Sequence, residues 1–410
     1  MIPMTVLRRI LLAACVAAVW STTYAQTPND SAVPGTVIDH MPAAGGMYVG
    51  SPSITILPDG AYVASHDLFG PKTKEHEAAT TRVFRSEDRG RTWRQVAEVK
   101  PAFWSKLFVH RGKLYLMGPT AHHGDLVIRR SDDGGATWTQ PTDAKHGLLA
   151  EGQYHTAPMP MLIHNGRIWR AIEDATNGRK WGARYSPMVF SAPVDADLLD
   201  AASWTHTNFI KIDPAWLGGK FNAWLEGNAV VTPDGHIVDI LRMHSGRDGG
   251  RAAVVRISDD GKIASFDPEK NLIDFPGGAK KFTIRYDEQT RAYWSLVNPV
   301  LPRHQNDAAA GGVRNALALM KSTDLKNWEM RCIVMYHPNV SHHGFQYPDW
   351  VFDGDDLIAA IRTAYDDGLG GAHNAHDANF LTFRRLSNFR SLQMTDSVIA
   401  PDQVGLPASK

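Results

Sequence analysis

Cysteine is nearly absent from this chain. Its 410 residues include two, Cys15 and Cys332. Cys15 lies in an N-terminal stretch that reads as removable, so no intramolecular disulfide can staple the mature chain, and its stability must come from buried area. Excess charge of either sign is missing too. Lys+Arg and Asp+Glu are 43 each, which excludes the electrostatic footprint of a nucleic-acid binder or a basic membrane surface. Beyond the N-terminus no apolar run is long enough for a membrane span, and no long stretch shows helical periodicity. There is no Gly-x-Ser-x-Gly elbow, cysteine-nucleophile motif or phosphate-binding glycine loop. What is abundant is turn chemistry: Gly 35, Pro 24 and Trp 12 suit many short, packed strands.

The first residues read as an export signal. Arg8 and Arg9 precede the apolar run Ile10 to Trp20, and Thr23-Tyr24-Ala25 offers small residues before a cut after Ala25. Leu12-Ala13-Ala14-Cys15 has the form of a lipoprotein box, but it follows Arg9 too closely to be preferred. The expected location is periplasmic or secreted. The expected division is a signal at 1–25, a linker and ring-closing segment at 26–46, one catalytic domain at 47–400 and a tail at 401–410.

The strongest internal signal is a repeat. Ser86-Glu87-Asp88-Arg89-Gly90-Arg91-Thr92-Trp93 returns as Ser131-Asp132-Asp133-Gly134-Gly135-Ala136-Thr137-Trp138. Ser and Asp bond a tight turn, Gly supplies a positive φ, and Thr-Trp starts the returning strand. Worn copies stand at Ala201 to Trp204, Ser258 to Gly261, Ser322 to Trp328 and Leu386 to Phe389. Between them lie hairpins turning at Asp59-Gly60, Arg111-Gly112, Asn165-Gly166, Asp234-Gly235, Asp287-Glu288 and Asp353-Gly354. Two hairpins make a four-stranded blade, so the pattern predicts an all-β propeller with six blades. Thr36 to Tyr48 and Ser391 to Ile399 are left to close the ring or build a further blade.

Candidate chemistry falls where strands run into loops. His66 and the pair Tyr154-His155 are candidates for proton transfer. Arg82, Arg170, Arg242, Arg285 and Arg362 interrupt apolar strands, and a guanidinium there either pairs internally or clamps a substrate carboxylate. Trp224-Leu225-Glu226-Gly227-Asn228 and His343-Gly344-Phe345-Gln346-Tyr347-Pro348-Asp349-Trp350 add Glu226, Asn228 and Gln346 as substrate-binding candidates. His373, His376 and Asp377, in one glycine-rich loop, form a donor set for a structural divalent metal.

The repeated phrase resembles the Asp-box of sialidase-like propellers, in which it sits at a blade rim and marks the fold. True sialidases carry a Phe/Tyr-Arg-Ile-Pro phrase, and the equivalent Tyr48-Val49-Gly50-Ser51-Pro52-Ser53 has no arginine. A broader resemblance covers Met47 to Arg390. Ser51-Pro52-Ser53-Ile54, Ala64 to Gly70, Trp224 to Val231, Phe275 to Phe282 and Thr363 to Asn374 are similar to exported propeller enzymes that release L-rhamnose from α-1,4-linked D-glucuronate in arabinogalactan and gum arabic. The resemblance implies a seven-bladed propeller and an essential histidine at His66. It also implies a lyase reaction, formerly described as an α-L-rhamnosidase activity. On that reading His66 is base or acid with Tyr154 or His155 as partner, Arg170 and Arg285 hold the carboxylate, and no cofactor is required. The partner is a glycan, and the chain acts as a monomer without nucleic acid. Hydrolysis of the same bond, a non-catalytic glycan-binding propeller and a sialidase are the alternatives.

Overall fold

The computed structural model describes residues 33–246 and 249–407; the export signal and Cys15 lie outside them. Among the described residues there are six four-stranded antiparallel blades. Blade 1 runs Ser53–Ile56, Tyr62–Phe69, Thr81–Ser86 and Arg94–Val99. Blade 2 runs Lys106–His110, Lys113–Pro119, Gly124–Ser131 and Leu148–His155. Blade 3 comprises Leu162–His164, Arg167–Asp174, Ser186–Pro193 and Thr205–His206. Blade 4 comprises Phe221–Val231, Ile237–Ser245, Arg251–Ile257 and Ala264–Ser265. Blade 5 is built from Thr283–Asp287, Ala292–Val297, Ala316–Ser322 and Glu329–Tyr336. In blade 6, Gly344–Asp353, Asp356–Ala364 and Phe380–Leu386 take their outermost strand from the other end of the chain, Thr36–His40.

That exchange closes the ring, and it corrects the expected seventh blade. Thr36 pairs with Phe383 and His40 with Phe380, so the segment is used up within blade 6. Ser391 to Ile399 forms no strand. It packs on blade 5 instead, where the Ser397 hydroxyl accepts from the Ile333 N–H at 2.9 Å. Six turn-and-strand units in the sequence became six blades because each unit carried its own hairpin signal.

The Asp-boxes show why the phrase recurs. Ser86 Oγ donates to Asp88 Oδ1 and accepts from the Gly90 N–H, while Asp88 accepts from the Thr92 N–H and hydroxyl. Ser131, Asp133, Gly135 and Thr137 repeat these bonds. Trp93 and Trp138 donate to the carbonyls of Gly90 and Gly135. Each tryptophan then packs against the preceding blade, Trp93 on Phe383 of blade 6 and Trp138 among blade 1 residues such as Leu57 and Val63. A Cβ on Gly90 would lie 2.4 Å from the Phe383 ring, and φ there is +88°. Glycine is therefore required on both counts.

Buried polar contacts tie the inner strands of different blades together. Asp349 of blade 6 pairs with Lys106 of blade 2 and accepts from Ser53 and the Ile54 N–H of blade 1. Asn228 ties blade 4 to blade 5 through the Phe282 carbonyl and the Ile284 N–H. The tight hairpins and the Asp-boxes lie on one face, whereas the starts of the inner strands and the longer loops gather on the other.

Phe383 carries the closure. Phe383→Ala is expected to cost about 3–5 kcal/mol in urea unfolding, and Ile163→Ala, at a side chain 60% exposed, less than about 0.5 kcal/mol. Equal costs would contradict the closure assigned to Phe383.

Candidate active site

Two inner strands bend where they reach the loop face. The pairing of Phe221–Val231 with its neighbour slips between Leu225 and Asn228, and that of Gly344–Asp353 slips between Gln346 and Asp349. Each bulge holds one non-glycine residue in the left-handed region, Glu226 at φ 60° and Tyr347 at φ 53°. A bulge re-aims a side chain, and a strained backbone of this kind concentrates at functional sites. Here both side chains turn into one cavity of about 400 Å³.

The cavity is cationic. Arg242 ends the second strand of blade 4, Arg314 sits in the loop of blade 5 and Arg362 ends the second strand of blade 6; all three line the cavity and are at most 4% exposed. Arg242 Nη1 donates to Glu226 Oε2 at 3.0 Å and to the Tyr347 hydroxyl at 3.3 Å. Burial opposes its charge, but Glu226 and Tyr347 outweigh that and raise its pKa. Arg314 donates to the Gln346 side chain at 2.6 Å and lies 5.7 Å from the Tyr347 ring centre; burial lowers it to about 10, so it stays charged at neutral pH. Arg362 donates to the His376 carbonyl and lies 4.9 Å from the same ring. Its Nε is buried with no partner. Among the described residues, Glu226 is the sole carboxylate bonded to any of these guanidiniums.

A second wall is aromatic and imidazole-rich. His155 stacks on Tyr185 at 4.1 Å and meets Trp104 edge-on at 4.5 Å. The last strand of blade 2 reaches across to blade 3, pairing His155 with Glu173, and His155 Nδ1 lies 2.8 Å from Glu173 Oε2. Burial pushes Glu173 up to about 8 and His155 down to about 3. Burial, which disfavours charge on both partners, sets these directions, and Nδ1 is the ring nitrogen that Glu173 engages. Burial and the Arg362 charge likewise lower His376 to about 3.

Of the residues expected from sequence, His155, Glu226, Arg242, Arg362 and His376 line this cavity. Gln346 stands behind it, holding Arg314 and bonding the carbonyls of Ala375 and His376. The other expected residues lie elsewhere. His66 is fully buried in blade 1, one ring nitrogen on Asp39 at 2.8 Å and the other on the Asp67 carbonyl at 2.9 Å. Tyr154 packs on Phe190 inside blades 2 and 3. Arg170 is spent on Met159, Thr156 and Ala157, and Asn228 on the blade 4–5 seam. Arg285 bonds the Trp350 carbonyl beside a larger opening, about 840 Å³, on the opposite, hairpin face. Arg82 pairs with Asp39 and Glu98. His373 stacks on Tyr48, and His376 bonds Asp377. Among the described residues these three ligands do not converge; the one grouping of metal-type donors is Glu75, His76 and His122.

Sequence reasoning missed Arg314, and in the segment His343 to Trp350 it named Gln346 for the site and left Tyr347 between packing and a face for a sugar ring. Arg314 lies in a loop with no strand pattern to set it apart. Tyr347 left a usable signal, since Glu226 and Tyr347 occupy matching positions just before paired phrases, Gly227-Asn228 and Pro348-Asp349.

A model of the BNR repeat-like domain matches residues 107–359, more than half of the chain. The chain belongs to that family. Its propeller is similar to an α-L-arabinanase of Penicillium chrysogenum, with 14% identity, TM-score 0.52, and coverage of 88% of this chain and 99% of that one. It is similar to an α-L-arabinofuranosidase of Fusarium graminearum at 11% identity and TM-score 0.55, covering 87% and 98%. A Hadza microbial sialidase gives 14% identity and TM-score 0.56, covering 87% and 69%. These likenesses speak for the fold. A search of curated proteins finds no match.

Glu173 makes a signed prediction. Its folded pKa is raised, so the folded chain keeps a proton that the unfolded chain releases between the ordinary carboxylate range and about pH 8. Its contribution to stability therefore falls as pH rises through that window. Glu173→Gln should gain on the wild type from pH 5 to pH 8 by on the order of a few kcal/mol, measured by urea unfolding. A constant difference across that range would show that Glu173 does not hold its proton.

Proposed function

We propose that the protein is a glycan-processing enzyme that grips the carboxylate of an acidic sugar. On this reading it releases terminal L-rhamnose from α-1,4-linked D-glucuronate by β-elimination. The observation that carries the reading is the convergence of Arg242, Arg314 and Arg362 on Tyr347, with Glu226 as their one bonded carboxylate. Buried cations in that number call for an anion, and the guanidinium fork matches a carboxylate. Trp181, 51% exposed at the mouth and lying under Arg242, offers a face for a sugar ring.

The roles assigned from sequence move accordingly. The three arginines neutralise the uronate carboxylate and so stabilise the enolate-like charge that develops when the C5 proton leaves. Tyr347 accepts a hydrogen bond from Arg242; having given its own proton to solvent, it would take the C5 proton as a phenolate. The C4–O bond breaks, C4 and C5 become doubly bonded, and the departing rhamnosyl oxygen takes that proton back from Tyr347, which regenerates the phenolate. His155, which lines the cavity with its Nδ1 engaged by Glu173, is placed to bond that oxygen. Ordinary glycosidases use two spaced carboxyl groups. Here Glu226 is bound to Arg242, and Glu75, the other glutamate on the lining, is held by Gly70 and His122. His66 takes no part.

One observation favours a second reading. Arg242 bridges Glu226 and Tyr347, and a tyrosine beside a glutamate is also the pair a sialidase uses as nucleophile and base. Products separate the two. From gum arabic the first reading gives free rhamnose and an ultraviolet-absorbing uronate one water lighter than the hydrolysis product. A saturated uronate, or sialic acid from an aryl sialoside, would overturn it. Tyr347→Phe and Arg314→Ala should each lower kcat/KM on the order of 10²–10⁴-fold, whereas His66→Ala should lower stability more than turnover per folded molecule.

A further inference from the structure

Two loops meet at the edge of the cavity, away from the arginines. One, residues 70–80, joins the second and third strands of blade 1. The other, residues 120–123, does the same in blade 2. The His122 N–H donates to the Glu75 carbonyl at 2.6 Å, which fixes the loops against each other. Glu75 Oε2 accepts from the Gly70 N–H at 2.8 Å and from the Thr73 hydroxyl at 3.3 Å. The other oxygen, Oε1, is left facing two imidazoles, 3.3 Å from His76 Nε2 and 3.4 Å from His122 Nδ1. The two rings lie nearly parallel, centres 4.8 Å apart and planes 15° apart. All three donor atoms lie within 4.8 Å of one another.

These separations have a direct reading. A tetrahedral ion bound at about 2.0–2.1 Å spaces its ligands about 3.3 Å apart. Two of the three edges already have that length, and a small rotation of the exposed His76 ring closes the third. Two histidines and one glutamate form a recognised donor set for a zinc-type ion that keeps a further position open. We propose that Glu75, His76 and His122 form a divalent-metal site of the Zn²⁺ class that clasps blades 1 and 2 at the cavity rim. Glu75 and His122 also line the cavity, so the open position faces water or a substrate oxygen there. The site is separate from His373, His376 and Asp377, and it stands whether or not the reaction proposed above is correct.

The test uses the mature chain without a polyhistidine tag, stripped with EDTA and titrated calorimetrically with Zn²⁺. One equivalent is expected to bind, and Zn²⁺ should raise the Tm. His76→Ala changes a side chain that is 68% exposed and leaves the fold intact. It should weaken binding at least tenfold and abolish the Tm rise, and His122→Ala should do the same. Absence of Zn²⁺ binding would overturn the proposal, as would binding that His76→Ala leaves unchanged, since the ion would then sit on other histidines.

Discussion

Everything about the cavity follows from the difficulty of burying a guanidinium. Three of them, Arg242, Arg314 and Arg362, sit out of water around one phenol. A buried cation without a partner costs several kcal/mol, and the described residues supply a single bonded carboxylate, Glu226. The remaining charge is met by weaker acceptors, the Gln346 amide, the His376 carbonyl and the face of Tyr347. Such a site is stable enough to exist and, among the described residues, still has fewer bonded carboxylates than guanidiniums. On the proposed function a ligand carboxylate supplies the balance, and the shortage is what would make the opening select acidic sugars.

The scaffold holds that arrangement by spending strain locally and saving it elsewhere. Glu226 and Tyr347 take left-handed backbone at bulges in the inner strands of blades 4 and 6. The blades around them are regular and carry a fully buried tryptophan apiece at Trp169, Trp224, Trp294 and Trp350. The Asp-boxes lock blade to blade on the far face, and Thr36–His40 ties the last blade to the first residues of the ring. Rigidity on one face lets the other face keep a strained and highly charged centre.

The fold was legible because its signals are local. An Asp-Gly hairpin or a Ser-x-Asp-x-Gly-x-Thr-Trp turn depends on a few adjacent residues, so counting them counts blades. The site was legible only in part because it is assembled from every blade. His155, Glu226 and Arg362 could be named from strand ends. Arg170 and Arg285 looked equivalent to Arg362 in sequence, yet one satisfies itself on nearby carbonyls and the other points to the hairpin face. His66 had the right residue type beside the right phrase, but the bulge between Val37 and Asp39 coincides with a carboxylate placed on its ring. That contact comes from ring closure, which joins segments no local pattern relates.

The central claim is that the cavity recognises a sugar by its carboxylate. The most direct measurement is the calorimetric affinity of Tyr347→Phe for rhamnosyl-α-1,4-glucuronate, set against the same disaccharide with the carboxyl group reduced to an alcohol. The account predicts that reduction weakens binding by about 100-fold or more, the value of a buried charge-paired contact. Equal affinity for the two sugars would contradict it.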